Sequence, residues 1–301
     1  MKMNKIILIG FVLIAIVGFF VLFRQEGNNS PKKETENVSK EITQVDEITH
    51  GHGLAVDVAD PSRVYIATHH GLLVLTNDKE LNRVGTTQDD YMGFSPHPSD
   101  PKVLFSSGHP STGGNIGFQK SVDGGFTWNK VSDGIQGPAD FHAMTISPAN
   151  SNLVYGWYNG MLQRSIDQGK TWEVASTSTY PIINLAADPK DESIVYAATP
   201  QGLMISVNKG ADWSTLLDGF VSVVTIHPQD SQKLLSFSEK NGLARSNDSG
   251  KNWEKLSETF NDETPLFIAF NKQSPEMLYT LTEKNSIYKS LDGGNSWNKV
   301  R

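Results

Sequence analysis

The sequence contains no cysteine, so no disulfide bond can support the fold and no lipidated cysteine can anchor the chain. An excess of basic residues is also lacking, because the formal net charge is −7. The first 33 residues hold five basic residues against one acidic residue, which leaves a charge of −11 for residues 34–301. An acidic surface repels phosphate backbones, and we therefore expect no nucleic-acid partner.

One long apolar run, from Ile6 to Phe23, contains no charged residue. As a helix it would be about 27 Å long, just enough to cross a bilayer. Lys2 and Lys5 precede it and favour a cytoplasmic N-terminus, and no small-residue cleavage pattern follows it. Residues 1–24 are therefore predicted to be a transmembrane signal anchor in the cell membrane, with the remainder extracytoplasmic. A cleaved signal peptide is the alternative, and it gives the same compartment.

The rest of the chain divides by composition. Residues 25–46 are polar and nearly free of aromatic side chains, which is typical of a flexible stalk. Residues 47–301 are expected to form one domain, in which helix signals are scarce.

Five octads repeat along this domain, with Ser in first place, Gly in fifth, Trp in eighth, and Asp in third place in all but one copy. Their starts are 44, 41, 40 and 44 residues apart, a period that fits one four-stranded propeller blade. These repeated positions are Ser121, Asp123, Gly125, Trp128, Ser165, Asp167, Gly169, Trp172, Ser206, Asn208, Gly210, Trp213, Ser246, Asp248, Gly250, Trp253, Ser290, Asp292, Gly294 and Trp297.

Each octad is expected to be a structural hairpin turn. The third side chain can accept backbone N–H bonds, the Gly supplies a positive φ, and the Trp ring opens the next strand and packs on the blade. Residues 53–84 fit the same frame with a degenerate octad at Thr76–Asn77–Asp78. The sequence therefore predicts an all-β, six-bladed propeller. A seventh blade is possible only if the stalk supplies it, and residues 41–50 can instead add a short strand that locks the ring.

The octads resemble the BNR or Asp-box repeat of sialidases, sortilin-type receptors, xyloglucanases and photosystem II assembly propellers. The resemblance covers most of residues 53–301 and implies a propeller in which the boxes lie at the blade periphery, away from the ligand. Many bacterial chains of this kind are identified as BNR-repeat glycosyl hydrolases. Sialidase activity is not expected, because an arginine triad and an R-I-P motif are required, and the domain has five scattered arginines and no such motif.

In a propeller, loops that enter the first strand and loops that join the second and third strands share the face on which ligands bind. Histidines collect there in the first three units, and His52, Met92 and His142 share one register. Imidazole with thioether suits a soft ion such as Cu(I), whereas the alternative is that these histidines are turn residues. No cofactor is required, but Cu or Zn is possible, with candidate ligands His50, His52, His69, His70, Met92, His109 and His142.

Carboxylates are expected on the same face. Two of them about 5 to 10 Å apart would suffice for glycoside hydrolysis, whereas solvated loop acids are the alternative. The candidate catalytic residues are Asp89, Asp90, Asp140, Glu239 and Glu283.

Trp157 and Tyr158 lie in a predicted loop between second and third strands, and Trp157 is the one tryptophan outside an octad. These two rings could stack on a sugar or on an apolar group of a partner, or Trp157 could fill a gap between blades. The leading hypothesis is a binding or assembly module for a protein, glycan or metal at the outer membrane surface. A glycoside hydrolase and a metal-binding propeller are the alternatives.

Overall fold

The computed structural model describes residues 40–178, 180–257 and 260–301. All elements of regular secondary structure within these residues are β-strands. The signal anchor predicted for residues 1–24 and most of the stalk predicted for residues 25–46 lie outside the described residues. Within the described part of the chain, no helix is long and apolar enough to cross a membrane.

The first three sheets follow one another along the chain, and each is an antiparallel meander. Their strands are β1 (Ile42–Gln44), β2 (Gly51–Val56), β3 (Arg63–Thr68), β4 (Gly71–Thr76) and β5 (Glu80–Val84) in blade one; β6 (Asp90–Pro96), β7 (Leu104–His109), β8 (Phe118–Ser121) and β9 (Asn129–Ser132) in blade two; and β10 (Ala143–Ile146), β11 (Val154–Tyr158), β12 (Met161–Ser165) and β13 (Glu173–Thr177) in blade three.

The last three sheets repeat the same four-stranded order. Their strands are β14 (Asn184–Ala187), β15 (Val195–Ala198), β16 (Gly202–Ser206) and β17 (Ser214–Asp218) in blade four; β18 (Val221–Ile226), β19 (Leu234–Ser238), β20 (Gly242–Ser246) and β21 (Glu254–Lys255) in blade five; and β22 (Pro265–Phe270), β23 (Leu278–Thr282), β24 (Ile287–Ser290) and β25 (Asn298–Lys299) in blade six.

The six sheets form a closed ring, because the first strand of each blade contacts the first strands of both neighbouring blades, and β22 contacts β2. The predicted all-β, six-bladed propeller is therefore confirmed, and the described residues contain no seventh sheet. Strand β1 lies within the predicted stalk and pairs with the outer strand β5, so the ordered ring begins before residue 47.

Blades one and six meet through both packing and polar contacts. Their buried apolar side chains form one cluster that contains Ile66 and Leu281. The backbone N–H of Gly51 donates to the Asn285 side chain at 2.9 Å. The ring is thus closed by side-chain contacts between complete blades rather than by a strand shared between the two ends of the chain.

The five octads adopt one hydrogen-bonded turn at the hairpin between third and fourth strands. In each, the Ser hydroxyl accepts the N–H of the Gly at 2.8–2.9 Å and donates to the third side chain at 2.8–2.9 Å. The third side chain accepts the N–H of the seventh residue at 2.8–3.0 Å. The recurring polar groups of the octads are therefore used in hydrogen bonds within their own turns. These turns lie far from the first strands that surround the axis.

Candidate metal centre on the propeller axis

A cavity of about 440 Å³ follows the ring axis and is lined by the first-strand segments of all six blades. His52 and His142 line it at the starts of these segments, and a set of prolines that includes Pro98 and Pro189 lines it where the segments end. Between them the walls are mainly apolar. Lys272 lies at the proline end, and the imidazoles are confined to the other end, which we call the histidine end.

Three imidazoles from blade one meet at this end. The ring centroids of His50, His52 and His69 lie 4.5 to 4.9 Å apart. One ligating nitrogen from each ring lies within 4.8 Å of those of the other two. We call this group the histidine trio.

The backbone explains why these three rings converge. A β-bulge between Gly51 and Gly53 makes His52 the additional residue of β2 and turns its side chain to the cavity. His50, directly before β2, adopts a left-handed conformation with φ of 44°. His69 lies in the turn from β3 to β4, and its N–H donates to the His50 carbonyl at 3.3 Å. Two adjacent segments thus bring three rings to one point.

Asp90, the first residue of β6 in blade two, orients His69. Its Oδ2 lies 2.6 Å from His69 Nδ1, so that nitrogen is the N–H donor and Nε2 keeps the lone pair. A carboxylate behind an imidazole in this way fixes the orientation and the tautomer of the ring. Nε2 is therefore the nitrogen of His69 that could ligate a cation.

His52 is held as a neutral imidazole. Burial, followed by the neighbouring His69 and His50, lowers its pKa from 6.5 to about 3. Its Nε2 lies 3.6 Å from Asp90 Oδ1, and because the ring is neutral this contact is not an ion pair. Burial also raises the pKa of Asp90, partly against the effect of His69.

A second group of the same residue types lies in blades two and three. The Oδ2 of the buried Asp140 is 2.6 Å from His142 Nε2 and 3.0 Å from His109 Nε2. The hydrogen bond to Asp140 is the main reason that the pKa of His142 is raised. His109 Nδ1 contacts the Gly114 carbonyl at 2.8 Å, so the glycine-rich loop 111–117 holds this ring against the carboxylate.

Three residues of these two groups also carry a buried polar atom that has no hydrogen-bond partner among the described residues. These atoms are His52 Nε2, Asp90 Oδ1 and Asp140 Oδ1. Buried polar atoms are nearly always paired in folded proteins, and an orphaned one calls for an explanation such as a water, an ion or local strain.

Two of the predicted metal ligands lie apart from this centre. Met92 is buried and does not line the axial cavity, because the bulge of blade two falls between Met92 and Ser95 and places Gly93 and Phe94 there instead. The register predicted to unite His52, Met92 and His142 therefore does not extend to Met92. His70 is exposed, with its ring 6.3 Å from that of His69.

Of the five candidate catalytic acids, Asp90 and Asp140 are buried beside histidines. Asp89 is partly buried, and its Oδ1 accepts the N–H of Ser111 at 3.0 Å. Glu239 and Glu283 are exposed in blades five and six, where Glu283 accepts the N–H of Thr264. The structure thus brings Asp90 and Asp140 into the histidine centre and leaves the other three outside it.

Trp157 and Tyr158 end strand β11 rather than standing in a loop. Trp157 packs against a core cluster that includes Leu185 of the next blade, so much of its ring lies between blades. The Tyr158 hydroxyl accepts a 2.9 Å hydrogen bond from Asn115.

Sequence reasoning located the histidines but treated the acids as an independent catalytic set. The pairing could have been suspected for Asp140, which stands two residues before His142 in the sequence. No comparable sequence signal connects Asp90 with His69, which belong to different blades.

No protein-family model matches the sequence, and no curated protein matches it. Solved structures with a similar fold include the GH74 enzyme of Niastella koreensis, with TM-score 0.58 and 15% identity over 82% of this chain and 46% of the enzyme. The chain therefore spans less than half the length of that enzyme. YCF48 from Cyanidioschyzon merolae gives TM-score 0.58 and 14% identity over 86% of this chain and 87% of YCF48. YCF48 bound to D1 peptide gives 0.55 and 16% over 86% and 84%. At this identity the likeness shows a shared β-propeller fold.

Proposed function

We propose that this propeller is a membrane-anchored, extracytoplasmic binding module that holds a transition-metal ion at the histidine end of its axial cavity. The observation that carries the proposal is the convergence of His50, His52 and His69, whose ligating nitrogens lie within 4.8 Å of one another. Tetrahedral coordination at about 2.05 Å would bring such nitrogens to about 3.3 Å, a closure that side-chain rotation can supply.

The state of the trio supports this proposal. A metal ligand must be a neutral imidazole, and burial keeps His52 in that state. The Asp90 carboxylate on His69 Nδ1 is the outer partner that metal-binding histidines commonly have. Three imidazoles without a thioether suit Zn²⁺ or Cu²⁺ better than Cu(I), because Met92 is directed elsewhere.

The proposed location rests on the sequence. The uncharged run from Ile6 to Phe23, with Lys2 and Lys5 before it, would place the propeller outside the cytoplasmic membrane. A protease added to spheroplasts, whose outer layers have been removed and whose cytoplasmic membrane is intact, should then degrade or release the propeller, and protection until that membrane is lysed would contradict this location.

A partner that docks on the same face is compatible with this function. One solved structure of similar fold is YCF48 bound to D1 peptide, so a propeller of this fold can bind a peptide. We propose that the face around the trio likewise presents its ion to a protein or glycan at the outer membrane surface.

Calorimetric titration of Zn²⁺ and Cu²⁺ into the metal-free full chain in detergent tests the proposal. We expect saturable binding, with one ion fewer in a His50→Ala/His69→Ala double variant. His227→Ala is the matched control, because His227 follows the end of a first-strand segment whereas the trio lies near the start of one. The proposed function would be contradicted if the chain without substitutions bound neither ion, or if the double variant bound as many ions as that chain.

A glycoside hydrolase is the second candidate, favoured by the fold shared with GH74 enzymes and by the buried carboxylates of Asp90 and Asp140. Both carboxylates are bound by histidines, which would have to move for an acid to reach a glycosidic bond. Hydrolysis of any member of a broad polysaccharide panel, lost in Asp90→Asn and in Asp140→Asn, would establish this alternative.

A further inference from the structure

The histidine trio supplies three ligating nitrogens, and no further histidine, aspartate or glutamate of the described residues joins the group. Structural zinc sites are closed by four protein ligands, whereas a zinc site with three protein ligands keeps one position for water or for an added ligand. An ion on the trio would therefore have an open coordination position.

Asp90 lies beside the trio but does not fill this position. Its Oδ2 is 2.6 Å from His69 Nδ1, so an ion on His69 binds through Nε2, on the opposite side of the ring. The carboxylate thus orients the ring, and an ion bound to Nε2 lies beyond its reach. The fourth ligand must come from outside the group.

The trio can be reached by such a ligand. His50 and His69 are exposed, and 45% of the His69 side chain is accessible to solvent. His52 is the less exposed member, and it lines the axial cavity. An ion on the trio would therefore lie at the mouth of the cavity, where a ligand can arrive from solvent and extend inward.

The trio favours an anion in the open position. Burial, together with His69 and His50, keeps the His52 imidazole neutral by lowering its pKa to about 3. Three neutral imidazoles leave the double charge of a divalent ion uncompensated, so an anionic ligand gains more than a neutral one. Carboxylate oxygen is an ordinary ligand of Zn²⁺.

The axial cavity has space for the rest of an organic acid. Its volume of about 440 Å³ lies in the range of small-molecule sites, about 300–1,000 Å³. Leu54, two residues after His52 on β2, lines the wall and is only partly buried, as is Thr145 of blade three. Residues two apart on a strand share a face, so Leu54 continues the wall inward from His52. The wall thus offers both apolar contact and a hydroxyl.

We propose that an ion on the trio takes a small organic carboxylate as its fourth ligand, with the carboxylate on the ion and the organic part in the axial cavity. This inference rests on the metal-binding function proposed above and names the class of ligand that the bound ion takes. The charge of the ion holds the carboxylate, and the width of the cavity beside His52 selects among acids by size.

Visible spectroscopy of the Cu²⁺-loaded full chain in neutral detergent tests this proposal, because azide on Cu²⁺ gives a charge-transfer band. We expect saturable azide binding that benzoate reverses by competition. Leu54→Phe narrows the cavity beside His52 and should weaken benzoate binding about tenfold or more. Azide needs no space in the cavity, so its affinity should change by less than about twofold in the same variant.

Two further variants complete the experiment. Val174→Phe is the matched control, because it adds the same ring at an exposed position of the outer strand β13 and should leave the binding of both anions unchanged. Thr145→Phe narrows the cavity from blade three and takes the place of Leu54→Phe if that variant does not fold.

The outcomes separate this inference from the function on which it rests. A chain that binds Cu²⁺ but whose spectrum responds to neither azide nor benzoate has a closed site, which would overturn the inference and leave metal binding intact. Azide binding that benzoate does not reverse would overturn the carboxylate ligand. Benzoate that binds the Leu54→Phe variant as tightly as the unsubstituted chain would lie outside the cavity and overturn the placement. A chain that does not bind Cu²⁺ would overturn both proposals.

Discussion

The hydroxyl of Tyr279 in blade six donates a 2.7 Å hydrogen bond to the carboxylate of Asp78 in blade one. Lys289 of blade six contacts the other oxygen of the same carboxylate at 2.7 Å. Asp78 stands in the degenerate octad of the first blade, with a left-handed φ of 60°. The turn in blade one lacks the octad Gly and Trp, but its Asp78 side chain links blade one to blade six.

Asp78→Asn should destabilise the ring. The amide tolerates the left-handed backbone and can still accept from Tyr279, but the ion pair with Lys289 is lost in a partly buried setting. We expect the free energy of unfolding to fall by about 1–3 kcal/mol in urea denaturation. Asp133→Asn, which alters an exposed pair within one blade, should change it by less than about 0.5 kcal/mol. Equal losses in free energy of unfolding for Asp78→Asn and Asp133→Asn would show that Asp78 contributes no more to closure of the ring than an exposed ion pair contributes within one blade.

Gly169→Ala should destabilise the packing of blade three on blade two. A Cβ at Gly169 would lie 2.0 Å from the Phe118 ring, and the φ of 79° is strained for alanine. Gly137 has a φ of 93° but open space around its Cβ position, so Gly137→Ala isolates the backbone cost of about 1–2 kcal/mol. Gly169→Ala should cost about 1–3 kcal/mol more in the same denaturation experiment. Similar losses would mean that Phe118 moves aside freely.

The blade count could be predicted from sequence because the octads are local. Every hydrogen bond that links Ser165, Asp167 and Gly169 joins residues no more than four apart, so the same short pattern gives the same turn in each blade. The first unit could be recognised although its octad lacks the Gly and the Trp, because the pattern and spacing of its strands match those of the other units.

The candidate binding face could be predicted only in part, because a bulge in a first strand shifts the side chains that follow it by one residue. Successive side chains of a strand point to opposite faces, so one inserted residue reverses the direction of those that follow. The bulge at Gly51–Gly53 turns His52 toward the cavity, whereas the bulge after Met92 leaves that thioether in the core. Loose repeats with variable spacing conceal such insertions, and contacts between blades, such as His69 with Asp90, have no signature in a single sequence.

Zn²⁺ should stabilise the unsubstituted chain against heat, and the stabilisation should grow with the logarithm of the free Zn²⁺ concentration above the dissociation constant. An ion that binds only the folded chain adds about 2.7 kcal/mol at one hundred times its dissociation constant. His69→Ala should lose much of this increase in melting temperature, because it removes one member of the trio. His70→Ala removes the exposed neighbouring ring, which lies 6.3 Å away, and should keep the increase. If Zn²⁺ raised the melting temperatures of His69→Ala and His70→Ala equally, the ion would not be bound by the trio.

The octad aspartates should make stability depend on acid pH. Hydrogen bonds from Thr171 lower the pKa of Asp167 to about 2, and hydrogen bonds from Asn252 lower that of Asp248 to about 2, against an ordinary value of 3.8. Because the folded-state pKa is the lower one, the unfolded chain binds more protons between these values. The contribution is complete above about pH 4 and is lost as the pH falls toward 2.

An Asp167→Asn/Asp248→Asn variant tests this directly, since the amide already serves in the third octad, where Asn208 accepts the N–H of Asp212 at 2.9 Å. The parent should be the more stable protein at pH 6, and the difference in free energy of unfolding should shrink steadily between pH 4 and pH 2. Thr171→Val keeps the carboxylate but removes its 2.7 Å hydroxyl donor, so it should weaken the same pH dependence in part. If instead the parent and the double variant give parallel curves across this range, the carboxylates are not held in the turns by charge, and the Ser, Gly and Trp positions alone stabilise each octad.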